Sequence, residues 1–500
     1  MALDTRGSEI VEFYKGKHVF ITGATGFIGK LLVEQLLRKC EPEMLYLLIR
    51  SKKGSDPQQR LQEMFKLPLF ERLKKEKTDY LDHITIVDGD SSKPELGLSN
   101  ESIALLKEKI EVVLHGAATV RFNEHIKIAT NINVLGTKTV ALLCQQMRNL
   151  KAFIHVSTAF ANCPNKEIEE EFYTPPITAD NLIKLTECLK ESQLESITEY
   201  ILESWPNTYS FTKAVAEDAV KTFGKGLPAA VFRPAIITNT RSEPMGGWID
   251  NLYGPVGLAM GIGTGLIRVF NADINAVGAM VPADMTVNAI LAAAYKTSLM
   301  GPTREMPVYN FVPPADNNLT WGQFMDNCLK YGQDLPPSKG VWYYSITLCK
   351  NLYVFNFLLF FLHFLPAIII DLMLLLVNKK PQAVKIYQKI STFGKAISYF
   401  SLRTWKFHDN NIQALWSGMN KKDKELFDFD MRSLDWDAYI KIFAFGLRVY
   451  LLKDPIETIP YAKKRIFCLY IIHRAFQALC LCLFTCVLWS SYSFAMKILA

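Results

Sequence analysis

Over the first third of the chain, short apolar runs alternate with longer stretches in which apolar positions recur every three or four residues. The runs at 17–22, 44–49, 83–87, 111–115 and 151–157 are β-branched or aliphatic and predict buried strands. The stretches at 28–40, 58–77, 102–109 and 124–148 carry the helical period. Strands separated by helices imply βαβ units, hence a parallel sheet with helices on both faces. Further strands are predicted at 229–232 and 307–312, and helices at 179–205 and from Tyr209 to about Thr222. The predicted class is α/β, a Rossmann-type doubly wound parallel sheet.

The rhythm changes after Ala235. Glycine and aromatic residues interleave through MGGWIDNLYGPVGLAMGIGTG (245–265), which predicts an irregular wall rather than a regular element. A smaller helical region of aromatic and basic flavour follows at 380–458. The predicted organisation is a reductase domain at 1–335, an apolar segment at 336–379, a helical domain at 380–458, and a basic flank with an anchor at 466–500.

Two apolar segments stand out. Residues 475–496 run for 22 residues without a charge, enough to span a bilayer as a helix. Lys463, Lys464, Arg465 and Arg474 precede them and only Lys497 follows closely, so the side before residue 475 is predicted to be cytosolic. Residues 351–370 are also uncharged, continue past Asp371 to 378, and contain Pro366. Lys350 lies before this segment and Lys379, Lys380, Lys385 and Lys389 after it, so spanning would put one basic flank on the wrong side. The expectation is a kinked hairpin or interfacial patch that returns to the cytosolic face; the alternative is a buried helix pair.

Composition narrows the class. Hydrophobic residues at 49% and charged residues at 21% exclude a disordered chain. Lys and Arg number 56 against 49 Asp and Glu, a net +7 too mild for a nucleic-acid reader. The ten cysteines include no C-x-x-C pair, which argues against a zinc ribbon or a thioredoxin-type site, and no metal site is expected. The first residues lack the apolar core of a secretory signal, so the thiols are expected to face a reducing cytosol. The last four residues match neither S-K-L nor K-D-E-L, leaving targeting to the anchor, to the endoplasmic reticulum or the peroxisome.

The chemistry begins at Thr22-Gly23-Ala24-Thr25-Gly26-Phe27-Ile28-Gly29, a strand end with three glycines spaced three apart before an amphipathic helix. This pattern supplies a tight turn, close backbone approach to a pyrophosphate, and a helix N-terminus aimed at it. Arg50 lies 21 residues after Gly29, where an NAD enzyme would carry an acid for the ribose hydroxyl. With Ser51, Lys52 and Lys53 it should attract a 2′-phosphate instead, so NADPH is expected. Asp90 ends the third predicted strand, where it either accepts from the adenine amine or caps its loop. Tyr209 and Lys213 stand at i and i+4, one helical face, giving a phenol acid beside an ammonium that favours its phenolate.

With His115-Gly-Ala-Ala118, Asn133-Val-Leu-Gly136, His155-Val-Ser-Thr-Ala-Phe160 and Arg233-Pro234, these motifs resemble those of extended short-chain dehydrogenases/reductases. The stretches Ala117–Phe122 and Gly247–Asn251 and the helical tail narrow the resemblance to the eukaryotic fatty acyl-CoA reductases, over roughly 14–458. That resemblance implies reduction of a long-chain acyl-CoA to a primary alcohol by NADPH, through a bound aldehyde and with release of CoA. It makes Tyr209 the proton donor, Lys213 its tuning base, and Thr158 the hydroxyl on the carbonyl oxygen, with Ser157 as the fallback. It also places Ala117, Asn133, Arg233 and Pro234 at the cofactor, Asn133 holding backbone or a relay water. The segments 179–205 and 246–265 are expected to wall an acyl tunnel. Membrane lipid is an expected partner, nucleic acid is not, and a homodimer is one option for the oligomeric state. The rivals are a membrane-bound hydroxysteroid dehydrogenase-like enzyme, disfavoured by Arg50 and the helical tail, and a silent NADP-binding tether, disfavoured by Tyr209 and Lys213.

Overall fold

The computed structural model describes residues 4–499 except 53, 303 and 304. The predicted alternation folds into one seven-stranded sheet. Its strands are β1 (His18–Thr22), β2 (Met44–Ile49), β3 (Ile84–Asp88), β4 (Val112–His115), β5 (Ala152–Val156), β6 (Ala229–Pro234) and β7 (Val308–Phe311). Their spatial order is β7-β6-β5-β4-β1-β2-β3, and every pairing is parallel. The chain reverses direction across the sheet between β1 and β4, where Thr22 pairs with His115. That switch point opens a crevice at the carboxyl ends of the strands, where α/β sheets bind ligands. Phe20, Leu47, Val113, Ile154 and Val231 are fully buried, as expected for a parallel sheet covered on both faces.

Several predicted boundaries shift for local reasons. The 58–77 stretch is two helices, Pro57–Phe65 and Glu71–Glu76, because Pro68 lacks the N–H that would continue the first. The 124–148 stretch stays one rod from Ile126 to Cys144, loosened into wider turns over Thr130–Leu135. The glycine-rich 245–265 stretch is a correction: it is not wholly irregular, since a helix forms at Gly254–Gly263. Pro255 starts that helix and buried Val256, Leu258, Ala259 and Ile262 hold it. Gly257 is needed there, since a Cβ would meet the Leu252 carbonyl at 2.3 Å.

The tail helices Ala383–Ser401, Asn410–Ser417, Lys421–Leu426 and Trp436–Gly446 pack into the same hydrophobic core as the sheet. The Tyr439 hydroxyl donates to the Asn239 carbonyl at 2.8 Å. Fully buried Ile440 and Phe443 each contribute about 1.5–3 kcal/mol to that packing.

Two helices are long and apolar enough to cross a membrane, Leu352–Leu376 and Ile456–Lys497. The first is a single helix, which removes the hairpin but not the interfacial patch from the two expected forms, and the backbone widens over Phe360–Phe364 just ahead of Pro366. Only 11% of its apolar window is buried, so it is not a core helix.

Candidate active site

A cavity of about 1290 Å³ runs from the glycine loop past the ends of β4 and β5 to the 383–401 helix. That exceeds the roughly 300–1,000 Å³ of an ordinary ligand pocket, so it has room for a dinucleotide and a second molecule.

At the nucleotide end, Gly23 has φ +75°, and a Cβ there would stand 2.8 Å from the Ala117 nitrogen. A Cβ on Gly29 would stand 2.1 Å from the Gly23 carbonyl oxygen. The helix Phe27–Gln35 begins at Gly26, with no side chain capping its first N–H groups. Those donors remain for an anion. The loop therefore fits a pyrophosphate both sterically and electrostatically. Thr25, Gly26, Phe27, Ile28 and Gly29 line the cavity, and Phe27 stacks on Trp248 at 5.2 Å.

Arg50 lines the mouth, 45% exposed, and its Nη1 donates to Asp90 at 3.1 Å. Asp90 also accepts from the backbone and hydroxyl of Ser92, which makes it a loop cap as well as a cavity residue. Arg60 was not singled out in the sequence. Its guanidinium donates to the Arg50 carbonyl at 2.6 Å and to the Thr25 hydroxyl at 2.8 Å, placing a second cation beside the first. The signal available for it was the Asp56-Pro57 helix start just after β2, which turns Arg60 back toward the loop. Lys52 lines the cavity, whereas exposed Ser51 does not, and Lys53 lies outside the described residues.

At the chemical end, Asn207 caps the helix Thr208–Phe223 and sets Tyr209 and Lys213 on the face toward β5. Tyr209 and Thr158 both line the cavity, with the Thr158 hydroxyl close enough to the phenol to favour its ionised form. Burial pushes the phenol up to about 12, and Thr158 holds it lower than burial alone would. It therefore stays protonated at neutral pH, the state an acid needs. Lys213 is 2% exposed and donates to the Val156 carbonyl at 2.6 Å. Burial pulls it down to about 8 while Glu217, one turn on, pulls it up, so it remains mostly cationic at pH 7. Phe122 stacks on the Tyr209 ring at 5.8 Å and reaches Phe400 at 5.6 Å.

Besides Ser51, three expected cofactor residues are not at the cavity wall, and each of the three has a structural employment instead. Thr22 is 1% exposed; its hydroxyl meets His115 at 2.7 Å and accepts from the Ala117 N–H. Asn133 holds backbone: it accepts from the Thr119 N–H at 2.9 Å and donates to Thr212. Arg233 is fully buried, donating twice to Glu217 and to the carbonyls of Glu169 and Glu171. Its chain neighbour Pro234 does line the cavity, as does Ala117. Ser157 also lines it, but its hydroxyl donates to Glu217 at 2.5 Å, which leaves Thr158 as the hydroxyl facing Tyr209. Glu217 extends the Tyr209–Lys213 spacing by one more turn, a pattern that could have flagged it.

His115 and His155 are buried under the site. Burial pushes His115 down to about 3 and His155 well below its usual range, so both are neutral. Glu167, Glu169 and His408 converge at the surface, where Lys406 pairs with the same Glu167 carboxylate in an ion-pair network.

The end of the cavity away from the glycine loop is walled by Ile236, Pro255, Trp321, Phe393, Ile397 and Phe400. From the 246–265 segment, Asp250, Asn251, Tyr253, Gly254 and Pro255 line the cavity. Residues 179–205 form two helices, Ala179–Cys188 and Glu191–Leu202, that do not line the cavity. Their apolar faces pack instead against the far side of the Thr208–Phe223 helix.

Comparison with known proteins agrees with this geometry. Two family models described as male sterility protein match, an NAD-binding one over residues 21–290 and a second over residues 362–454. The reductase domain of a nonribosomal peptide synthetase from Mycobacterium tuberculosis superposes with a TM-score of 0.56 at 18% identity, covering 90% of this chain and 95% of its own, a likeness of fold. Fatty acyl-CoA reductase wat of Drosophila melanogaster is 43% identical over 461 residues, covering 92% of this chain and 89% of that protein. Fatty acyl-CoA reductase 1 of Homo sapiens is 35% identical over 458 residues, covering 91% and 89%. With an NAD-binding fold, a buried phenol beside its crevice and relatives of that name along nearly its whole length, the chain is an oxidoreductase that belongs to the fatty acyl-CoA reductase family.

Proposed function

We propose that this chain reduces a long-chain fatty acyl-CoA to the primary alcohol, consuming two NADPH and two protons and releasing CoA as the free thiol. The single observation that carries the reading is the continuity of one cavity from an anion-binding glycine loop, past the Tyr209–Thr158 pair, to an apolar chamber. When bound, the nicotinamide supplies the hydride. Thr158 and Tyr209 hold the thioester oxygen and stabilise the charge that develops on it. Tyr209 then gives that oxygen its proton. Lys213, cationic and fixed by the Val156 carbonyl, keeps positive charge under the phenol and restores its proton. The hemithioacetal collapses to aldehyde and thiol, and the same pair of hydroxyls serves the aldehyde in a second reduction. The substrate brings its own sulfur, so no cysteine nucleophile is required.

The basic flank before residue 475 keeps catalysis on the cytosolic side of the endoplasmic reticulum or peroxisome, with the C-terminal helix as anchor. The purified full chain, given palmitoyl-CoA and NADPH, should yield hexadecanol and free thiol in equal amounts, with two NADPH oxidised per alcohol. Absence of alcohol under those conditions overturns the assignment.

Arg50 and Arg60 support NADPH over NADH. Arg50 is half exposed, and its pair with Asp90 is of the kind worth about 0–1 kcal/mol, so a phosphate can compete for it. Arg50→Asp should weaken NADPH by about 10- to 150-fold, the loss of one charge-assisted bond, and change NADH little. Equal losses for both in a fluorescence titration would show that Arg50 does not meet the 2′-phosphate.

A further inference from the structure

We propose that the Leu352–Leu376 helix lies in the plane of the cytosolic membrane leaflet rather than crossing it, and that the lipid it rests in is where the long acyl chain enters the cavity. The second half of this proposal rests on the acyl-CoA reading above.

At 25 residues the helix is about 37 Å long, enough to cross a hydrocarbon core of roughly 30 Å. Its tethers forbid that. Just before it, Thr347–Leu348 pairs as a strand with Val269–Phe270. At its middle, His363 accepts from the Arg268 N–H at 2.9 Å, and the Arg268 guanidinium donates to the Leu362 carbonyl. Near its end, the Asp371 carboxylate accepts from the backbone N–H groups of Gln382, Ala383 and Val384 at 2.8, 2.8 and 3.0 Å. Start, middle and end are thus all held by the catalytic body. Those three N–H groups open the 383–401 helix, and residues 392–400 of that helix form a cavity wall. Asp371 is therefore on the same side of the bilayer as Tyr209.

The outward side of the helix is built for lipid. Phe357, Leu372, Met373 and Leu376 are 62, 56, 60 and 85% exposed. Lys379, Lys380 and Lys385 follow, all exposed, as on amphipathic helices that rest on anionic lipid. Continuity with the anchor fixes the plane. Trp342 donates to His473 at 3.0 Å, and Tyr343 stacks on the same imidazole at 5.6 Å. The anchor leaves the body at Phe476, beside Trp342, in an aromatic collar of the kind found at bilayer surfaces. Trp342 is only nine residues before Asn351, so both apolar helices depart from one patch of the body.

The 383–401 helix is shared between the two environments. Phe393, Ile397 and Phe400 face the cavity, while Tyr387 stacks on His363 of the in-plane helix at 4.9 Å. The chamber and the lipid-facing helix are one helix apart, about 8–10 Å between axes. An acyl chain dissolved in the leaflet needs only to pass that helix to reach Tyr209.

Two measurements test this on the full chain. The first labels a Lys379→Cys variant in sealed microsomes with a membrane-impermeant maleimide, read at that residue by mass spectrometry. Labelling without permeabilisation is expected; labelling only after permeabilisation means that the helix crosses, and overturns the proposal. This readout needs no reductase activity, so it separates failure of the in-plane placement from failure of the assigned reaction. The second compares wild type with Leu372→Asp/Leu376→Asp, whose side chains are outside the cavity. On anionic phosphatidylcholine–phosphatidylserine vesicles carrying palmitoyl-CoA, the variant should lose about tenfold or more in kcat/KM. In detergent, with palmitoyl-CoA presented on albumin, it should match wild type. Equal loss in both settings, or loss in neither, overturns the portal.

Discussion

A Tyr209→Phe enzyme is expected to bind NADPH as the wild type does and to reduce acyl-CoA about 100- to 10,000-fold more slowly, the usual contribution of a general acid. The ring that Phe122 stacks on survives the change, so the cavity keeps its shape. What disappears is one hydroxyl, the neighbour of Thr158 and, on the proposed mechanism, the proton source for the carbonyl oxygen. Cofactor titration and steady-state turnover on the same preparation separate the two functions. Turnover equal to wild type would remove Tyr209 from the mechanism, and loss of NADPH binding would make its role structural.

Gly29→Ala is expected to abolish cofactor binding and to lower stability by about 1–3 kcal/mol or more, the range for forcing an atom into a packed site. The added methyl would lie 2.1 Å from the Gly23 carbonyl oxygen and 2.7 Å from the Ala24 Cα. Both obstacles are backbone, so no rotamer change relieves them, and the turn that presents the helix N-terminus must open. Gly332→Ala is the matched control. That glycine lies in the helix Trp321–Asp334 with nothing within 4 Å of the added carbon. It should gain about 0.5–1 kcal/mol from the better helix former. Thermal unfolding of both variants, with an NADPH titration, checks the pair; comparable behaviour would show that the loop is not tightly packed.

What could be read from the chain was what local physics specifies. β2 falls on its apolar run of Met44–Ile49 to the residue, because a parallel strand must be buried on both faces. Tyr209 and Lys213 share a face because four residues make a helical turn. The residues misjudged are those whose partners lie far away. Arg233 looked like a cofactor residue beside Pro234, yet alternation along β6 sends it inward to Glu217. Phe393, Ile397 and Phe400 were legible only as apolar positions in a tail helix. Nothing within that helix says that it crosses 170 or more residues of chain to wall a chamber beside Tyr209. The helix at Gly254–Gly263 was missed because its glycines serve close packing rather than turns, and packing overrides propensity.

The position of that wall has a consequence in time. Phe160 lies just past β5, and its ring neighbours are Phe400, Trp405 and Phe407. The last strand of the sheet ends at Phe311, so a growing chain can assemble every strand before any of those three neighbours exists. At roughly 5–20 residues per second, the next ninety residues take about 5–20 s to synthesise. Over that interval the nascent chain carries a finished nucleotide crevice whose greasy floor has no cover, a surface on which neighbouring nascent chains can stick. Premature stops or slow codons between 311 and 400 should therefore produce aggregation rather than a smaller working enzyme.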